Sequence, residues 1–503
     1  MSQQVNLVHG IAKVANQFPL LQDRLILNRH LCRLFGSDNF RSLREILRDQ
    51  KEGWQEDGHS RFFRVLEGLS GLRISVDKLA TYDLRIKGYV EQLNRFRASS
   101  VQLKYFQYLA VLFTEVFLDR MFNEKASLLA ELNDLVAREN TKLSPASVRY
   151  STFTRGDLNK LAFWMATGSG KTFVMHINLW QYLHYSRGNA QHDNIILITP
   201  NVGLSRQHLN EFQKSGIATR HYGEAARSYS LDYGVPMTVF EITKFRLPGE
   251  KRGEGETIEV DVFGENNLLF VDEGHRGASG EKWRKVREYL ARRGFTFEYS
   301  ATFGQIVNGA SGGKRPALLE EYSKSILFDY SYPHFYYDGY GKDYWITNLK
   351  HETDEFNEWI LLGNLLTFYE QHLIYEEHCK ELLPYNLEKP LWVFVGHSVT
   401  GGKSREDQTS LTDAEKIVAF FDDFLRTRQK WIIRIDKVLA GKSGLKDKRD
   451  EDIFSDLFPY LKANKVRPEE IYENIVRHVF SGQVGDRLRA VELKAAPGEI
   501  GLR

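Results

Sequence analysis

The stretch Met165-Ala-Thr-Gly-Ser-Gly-Lys-Thr172 decides how this chain folds. It follows the apolar run LAFW (161–164) and precedes a second apolar segment, FVMHINLWQYL (173–183), so the sequence predicts a strand, a glycine-rich loop and a helix. Glycines let a backbone wrap around a phosphate group, and the N–H groups at the start of a helix donate hydrogen bonds to it. Lys171 would reach the β- and γ-phosphates, and the Thr172 hydroxyl would bind Mg²⁺. We therefore predict a nucleotide site here and not merely a flexible turn.

The loop departs from the strict phosphate-binding pattern at one position. Met165 stands where that pattern has its first glycine. The flanking apolar segments still fit the strand–loop–helix unit, so the prediction is kept. The residues expected to contact the nucleotide are Ala166, Thr167, Gly168, Ser169, Gly170, Lys171 and Thr172.

Short β-rich runs alternate with helical segments on both sides of this loop. The runs are NIILITP, MTVFEIT, NNLLFVDE and FTFEYSAT, and helical patterns such as GLSRQHLNEFQK lie between them. This alternation is typical of an α/β fold with a parallel sheet and helices on both faces. We predict three zones: a mostly helical N-terminal region (1–145), the α/β lobe (146–330), and a C-terminal zone (331–503). KPLWVFVG (389–396) is a further candidate for a buried strand.

Two acids close one of the apolar runs, in NLLFVDEGH (267–275). Carboxylates at the C-terminal end of a buried strand lie where open α/β sheets bind ligands. Asp272 is expected to hold Mg²⁺, and Glu273 to orient and deprotonate the attacking water. His275 completes the catalytic set that we predict, together with Lys171.

Two further segments follow strands and carry polar side chains. In the first, Thr199, Pro200, Arg206 and Gln207 suit contacts with a phosphate backbone, with a capped helix start as the alternative. In the second, Ser300 and Thr302 follow a strand. We predict that they contact nucleic acid or couple its binding to the nucleotide site, and a helix cap is the alternative.

In their order and spacing, ATGSGKT (166–172), TPNVGLSRQ (199–207), DEGH (272–275) and SAT (300–302) resemble motifs I, Ia, II and III of superfamily 2 helicases and translocases. The resemblance covers about residues 160–305. It is greatest to the ATP-dependent restriction subunit of type III restriction–modification systems and its DEAD/DEAH-like relatives. Gly274 stands where the commoner motif II has alanine.

This resemblance implies a P-loop RecA-like lobe that binds ATP and Mg²⁺, followed by a partial second RecA-like lobe with a helical insertion. LWVFVGHSVTG (391–401) looks like motif IV, the first strand of that second lobe. An upstream glutamine contacts adenine in this family, and Gln107 is the best candidate; an exposed helix glutamine without function is the alternative. The Gly402-Lys403-Ser404 sequence is not expected to form a second phosphate loop, because its flanks do not fit.

The resemblance also implies motifs V and VI, which the sequence does not contain in recognisable form. We predict that the chain ends inside the second lobe, as a fragment or a truncated product; a divergent second lobe is the alternative. Glu492 and Lys494 could form half of a nuclease motif, but a solvated strand is the better interpretation.

The composition of the chain limits how it can contact nucleic acid and indicates the compartment in which it works. The chain has 503 residues and a net charge of +2, so any contact with nucleic acid must be local. Cys32 and Cys379 exclude a disulfide framework, and no apolar run reaches the roughly 20 residues of a membrane span. We predict a soluble, cytoplasmic protein.

The leading functional hypothesis is an ATP-dependent motor that moves on or opens duplex DNA in a restriction or phage-defence system. It would act with a nuclease or methyltransferase subunit, or with a C-terminal nuclease domain. Two alternatives remain open: an RNA helicase, and an interaction protein that binds ATP as a switch.

Overall fold

The computed structural model divides into two compact units, Met1–Lys342 and Asp343–Arg503. Residues with a described structure are 20–144, 147–188, 192–222, 236–249, 257–273, 281–310, 313–341, 354–383, 387–394, 413–447, 449–488, 490–492 and 500–502.

A parallel sheet of seven described strands organises the first unit. Its strand order is β3-β4-β2-β7-β8-β1-β9, and every adjacent pair is parallel. The strands are β1 (Lys160–Met165), β2 (Asn194–Thr199), β3 (Thr219–His221), β4 (Met237–Glu241), β7 (Asn267–Asp272), β8 (Phe295–Ser300) and β9 (Ile326–Tyr330), while β5 (Phe245–Arg246) pairs with β6 (Ile258–Glu259) separately. The predicted α/β fold with a parallel sheet is confirmed.

Helices cover the sheet, as its apolar runs require. Strands buried on both faces read as continuous apolar sequences, and β1, β2 and β7 all have this form. The helices that follow the loop or connect strands are α7 (Lys171–Ser186), α8 (Val202–Lys214), α9 (Glu281–Leu290), α10 (Phe303–Gly309), α11 (Lys314–Ser325) and α12 (Tyr332–Tyr337).

The N-terminal region is helical, as predicted, and it shares one hydrophobic core with the sheet. Phe113 of the fifth helix packs edge-on against Phe328 of β9, with ring centroids 5.9 Å apart. That helix is apolar around most of its circumference, which is the pattern of a helix buried on all sides. The helices are α1 (Ile26–Leu34), α2 (Phe40–Leu47), α3 (Arg61–Glu67), α4 (Val76–Asn94), α5 (Tyr105–Asn123) and α6 (Lys125–Thr141).

The second unit is built from helices around its own core, which includes Leu366, Phe424, Trp431 and Tyr472. Its described elements are α13 (Asp354–Leu382), α14 (Asp413–Arg426), α15 (Arg428–Leu439), α16 (Pro459–Ala463), α17 (Pro468–Asn474), a π-helical turn (Ile475–Val479) and the antiparallel pair β10 (Ala490–Glu492) and β11 (Ile500–Leu502).

The buried strand predicted at KPLWVFVG is wrong for its described part. Residues 387–394 have no regular secondary structure, and Leu391 and Val393 are 83% and 65% exposed. The rest of the motif IV segment, the Gly402-Lys403-Ser404 sequence and Lys494 lie outside the described residues. The assignment of residues 331–503 to a second RecA-like lobe stays a prediction.

No helix in the described part of the chain is long and apolar enough to cross a membrane.

Candidate nucleotide site

The four sequence motifs meet at one edge of the sheet. The carboxyl ends of parallel strands lie together at this edge, where open α/β sheets bind ligands. β1 leads into the glycine-rich loop, β2 ends at Thr199, β7 ends at Asp272, and β8 ends at Ser300. Only β8 separates β1 from β7, so the loop and the acidic pair are close enough for side chains to meet.

The glycine-rich loop connects β1 directly to α7. Gly168 and Gly170 have positive φ angles of 86° and 82°, a conformation that side chains disfavour. A Cβ on Gly170 would lie 2.2 Å from the side-chain amide nitrogen of Gln107, so that amide would have to move to admit any other residue. Lys171 is the first residue of α7, and its Nζ lies 3.4 Å from the Met165 carbonyl oxygen. The helix N-terminus therefore presents its N–H groups beside a lysine, which is an arrangement that favours phosphate.

Gln107 contacts this loop from the N-terminal region. Its Nε2 donates to the Ser169 carbonyl oxygen at 2.9 Å, and its Oε1 accepts from the Lys104 N–H at 2.9 Å. The residue is only 7% exposed, so it is not an exposed helix glutamine, while its role in nucleotide binding stays a prediction. The distance of 64 residues between Gln107 and Lys171 is spanned by α5, α6 and β1.

Asp272 is buried at the end of β7 and is 7% exposed. Its Oδ2 lies 2.8 Å from His208 Nε2 on α8. Burial raises the pKa of the Asp272 carboxyl, but the hydrogen bond from His208 and the positive charge of Lys171 lower it further than burial raises it, so the pKa lies below its usual value. Asp272 is therefore held as a carboxylate, the form that binds Mg²⁺.

Glu273 adopts a left-handed backbone conformation with φ of 55°. A non-glycine residue in this region is strained, and such residues cluster at functional sites. Its N–H donates to Asp272 Oδ1 at 3.0 Å, which holds the turn. Its Oε1 lies 3.9 Å from Lys171 Nζ, so the loop lysine and both acids come together as the sequence predicted.

The segment after β2 places one hydroxyl group in the core and two polar side chains on the surface. The buried Thr199 hydroxyl lies 2.7 Å from the Ser205 hydroxyl and ties β2 to α8, while Arg206 and Gln207 are exposed on that helix. Pro200 is partly buried between them.

At neither helix start does the side chain of a predicted contact residue form the cap. The cap of α8 is Asn201, whose side chain accepts from the Leu204 N–H at 3.0 Å; Asn201 is not one of the predicted contact residues. Thr302 precedes α10 without capping it, and its N–H donates to Ser300 Oγ at 3.0 Å. Ser300 is fully buried beside the nucleotide loop's strand, since it pairs with Trp164 in the sheet register.

His275 and Gly274 lie outside the described residues. His208 contacts Asp272 but was not among the residues predicted from the sequence. One signal was present in the sequence: His208 shares the buried face of α8 with Ser205, Leu209 and Phe212, and a polar side chain on a buried face needs a partner.

The residues present fit ATP and Mg²⁺. The two left-handed glycines and the start of α7 form a cradle that a Cβ would fill, and Lys171 adds a positive charge. Asp272 and Thr172 supply hard oxygen ligands. No cluster of three or more His, Cys, Asp or Glu residues able to hold a metal occurs in the described ranges.

Comparison with known proteins adds independent information. Residues 132–305 match the family model described as type III restriction enzyme, res subunit. The solved structures that are similar include UvsW of T4 (14% identity, 58% of this chain and 60% of that chain, TM-score 0.24) and the Hef helicase domain of Pyrococcus furiosus (12% identity, 66% and 68%, TM-score 0.26). The match therefore spans less than two thirds of the UvsW chain. No curated protein matches this chain.

The matched residues begin inside α6 and end just after the Ser300–Thr302 segment, so they include the loop, the acidic pair and the strands that carry them. Over residues 132–305 the chain is similar to the res subunit of type III restriction enzymes, the family that the order of its motifs resembles.

Proposed function

We propose that this chain is an ATP-dependent helicase or translocase motor that moves on or remodels duplex DNA in a restriction or phage-defence system. The observation that carries the proposal is the meeting of Lys171, Asp272 and Glu273 at the carboxyl edge of the sheet, inside the segment that matches the res subunit model. A nuclease or methyltransferase subunit, or a C-terminal nuclease domain, would supply the other activities. The motor protein itself would act in the cytoplasm.

Each residue of the site has a role that follows from its chemistry. The N–H groups from Gly168 to Thr172 and the Lys171 ammonium hold the phosphates, and Thr172 and Asp272 hold the metal. Mg²⁺, when bound, neutralises charge that develops on the transferred phosphoryl group. Glu273 orients the attacking water and accepts its proton at a carboxylate oxygen, because phosphoryl transfer depends mainly on positioning and electrostatics. His275 would assist at the same edge.

Contact with nucleic acid would involve the edge residues beside the nucleotide site. Arg206 and Gln207 are exposed on α8 and can donate to backbone phosphates, while Thr199, Pro200, Ser300 and Thr302 shape the loops next to them. Such contacts carry no sequence information, so recognition of a specific DNA site would come from another domain or subunit.

Gln107 would contact adenine. It already lies against the loop through Ser169, and its amide group can both donate and accept, as the edge of adenine requires. Its burial next to Gly170 would fix the amide at a set distance from the phosphates.

Two alternatives make different predictions for the same site. An RNA helicase would use the same motifs, and the 2′-hydroxyl would distinguish its track. A nucleotide-gated interaction protein would bind ATP without turnover; the strained Glu273 beside Lys171 favours catalysis, because a switch needs no base there.

Steady-state ATP hydrolysis tests the proposal. We expect turnover that rises when duplex DNA is added, exceeds that with single-stranded DNA or RNA, and disappears in Lys171→Ala. Greater stimulation by RNA would favour the RNA helicase. Binding of ATP with no turnover under any of these conditions would contradict the motor and favour the switch.

Removing the partner of Asp272 should weaken metal binding more than it slows the reaction. In His208→Ala the Asp272 carboxylate loses its 2.8 Å hydrogen bond, and loss of such a supporting contact costs about 10- to 100-fold in metal affinity. We expect the Mg²⁺ concentration for half-maximal ATP hydrolysis to rise by that factor, with kcat at saturating Mg²⁺ changed far less. His208→Gln, which can still donate, should restore much of the affinity. An unchanged Mg²⁺ dependence in His208→Ala would exclude a positioning role.

A further inference from the structure

A cavity of about 400 Å³ lies among the N-terminal helices, between α1, α4, α5 and α6. None of its lining residues belongs to the glycine-rich loop or to the acidic pair, so it is distinct from the nucleotide site. Its volume falls within the range of pockets that hold small molecules.

Cationic side chains from several elements converge on this cavity. They are Arg33 of α1, Arg73 before α4, Lys78 of α4, Arg120 of α5 and Arg138 of α6, against the acids Glu124, Glu131 and Asp134. Two of these acids are already neutralised, since Glu131 lies 2.5 Å from Arg120 and Glu124 lies 3.0 Å from Lys78. Arg33 is likewise engaged with Asp38 and Glu139 outside the cavity.

Arg73 and Arg138 differ from the other cations. Neither guanidinium forms an ion pair or a side-chain hydrogen bond within the described part of the chain, and both are exposed to solvent. Only the backbone of Arg73 is fixed, through its N–H to the Leu34 carbonyl oxygen at 2.7 Å. Two arginines on different elements therefore face one cavity with all their side-chain donors available.

The buried wall of the cavity experiences a net positive field. His30 lies there, 6% exposed, with its Nε2 3.4 Å from an Arg120 nitrogen. Burial and the charges of Arg120, Arg33 and Arg73 lower the pKa of His30 to about 4, although Glu131 acts in the opposite direction. The cations thus outweigh the acid at this point, and His30 is a neutral donor and acceptor at pH 7.

We propose that this cavity binds a small phosphate-bearing molecule, with Arg73 and Arg138 as its principal phosphate ligands. Guanidinium groups match phosphate oxygens in geometry and form charge-assisted hydrogen bonds with them. Leu34, Ile74, Val116 and Leu135 supply an apolar wall for the organic part of the ligand. A concave site of this volume suits a small molecule better than a continuous nucleic-acid strand.

Calorimetric titration with inorganic pyrophosphate tests this proposal. The full chain would carry Lys171→Ala, which weakens phosphate binding in the glycine-rich loop, so the result does not depend on the proposed motor function. We expect binding to this protein, and binding at least about tenfold weaker after Arg73→Gln and Arg138→Gln are added, because each removes a charge-assisted contact. The pair Lys51→Gln and Arg61→Gln removes the same charge from residues that do not line the cavity, and should leave the affinity unchanged.

Several results would overturn the proposal. Absence of pyrophosphate binding in the Lys171→Ala chain is one, and equal weakening by the Lys51/Arg61 pair is another. A third is binding of a single-stranded or duplex oligonucleotide that depends on Arg73 and Arg138 without any binding of pyrophosphate; the cavity would then belong to a nucleic-acid surface. Neither arginine has a side-chain partner to lose in the described structure. The melting temperature of the variants should therefore match that of the parent chain.

Discussion

Replacement of Glu273 by glutamine is expected to lower kcat for ATP hydrolysis by roughly 10³-fold, within the range of about 10² to 10⁴ typical of a positioned general base. Glutamine keeps the volume and the left-handed backbone position but cannot accept the proton of the attacking water. Lys171 retains its contact with the Met165 carbonyl oxygen, so phosphate binding should persist. The affinity for ATP should therefore change little while turnover nearly stops.

Single-turnover hydrolysis and nucleotide binding, measured on the same preparations, separate these two effects. Glu265→Gln is the matched control: Glu265 precedes the same strand at its opposite end and pairs with Arg292 on the surface. It should hydrolyse ATP at the parental rate. A Glu273→Gln protein that retains more than about a tenth of parental turnover would rule out Glu273 as the base. Loss of ATP binding in Glu273→Gln would mean that Glu273 stabilises the structure of the nucleotide site and is not only a base.

The sequence predicted on which strands and loops these motifs lie, because the motifs depend on local patterns; the roles of their residues stay predictions. A glycine-rich loop after an apolar strand has few other uses, and an acidic pair at the end of a second strand can face only the same edge of a parallel sheet. The contact between Lys171 and Glu273 therefore followed from strand order and direction. Gln107 donates to the Ser169 carbonyl oxygen of the same loop, a contact across 62 residues that the spacing alone could not define, and its predicted contact with adenine stays a prediction.

Other features depend on tertiary contacts that no local pattern contains. The sequence did not predict β3 or β9. β3 has three residues, which are too few to form a pattern, and the run SILFDY that contains β9 fits a buried helix equally well. The run KPLWVFVG has the apolar pattern of a strand, yet residues 387–394 do not form one. An apolar run forms a buried strand only where a neighbouring strand supplies hydrogen-bond partners for its backbone. The buried face of α8 marks His208 as a residue that needs a partner, but it does not identify Asp272, which lies 64 residues away in sequence.

The largest effect on stability is expected at Glu298, in the middle of β8. Its carboxylate is buried and contacts Lys160 Nζ at 3.1 Å, the Tyr322 hydroxyl at 3.0 Å, and the Arg287 guanidinium. Glu298→Ala would leave the buried Arg287 and the partly buried Lys160 with one fewer counter-charge. Breaking a buried pair in this way costs about 3–5 kcal/mol, so we expect the free energy of unfolding of the first unit to fall by that amount. Chemical denaturation measures it, and Glu265→Ala, which breaks an exposed pair, should cost no more than about 1 kcal/mol.

The pH dependence distinguishes this electrostatic cause from a simple loss of packing. Burial lowers the pKa of Lys160 from 10.5 to about 8, even though Glu321 favours its charged form. Between pH 8 and pH 10.5 the unfolded chain therefore binds more protons at Lys160 than the folded chain, and this residue makes stability rise with pH in that window. Removing Glu298 takes away a further group that favours charged Lys160, so the window should begin at a lower pH. The destabilisation by Glu298→Ala should consequently be smaller at pH 9.5 than at pH 7, because folded Lys160 can then be neutral without a partner. An equal loss at both values would mean that the cavity left by the side chain, and not the buried charge, determines the effect.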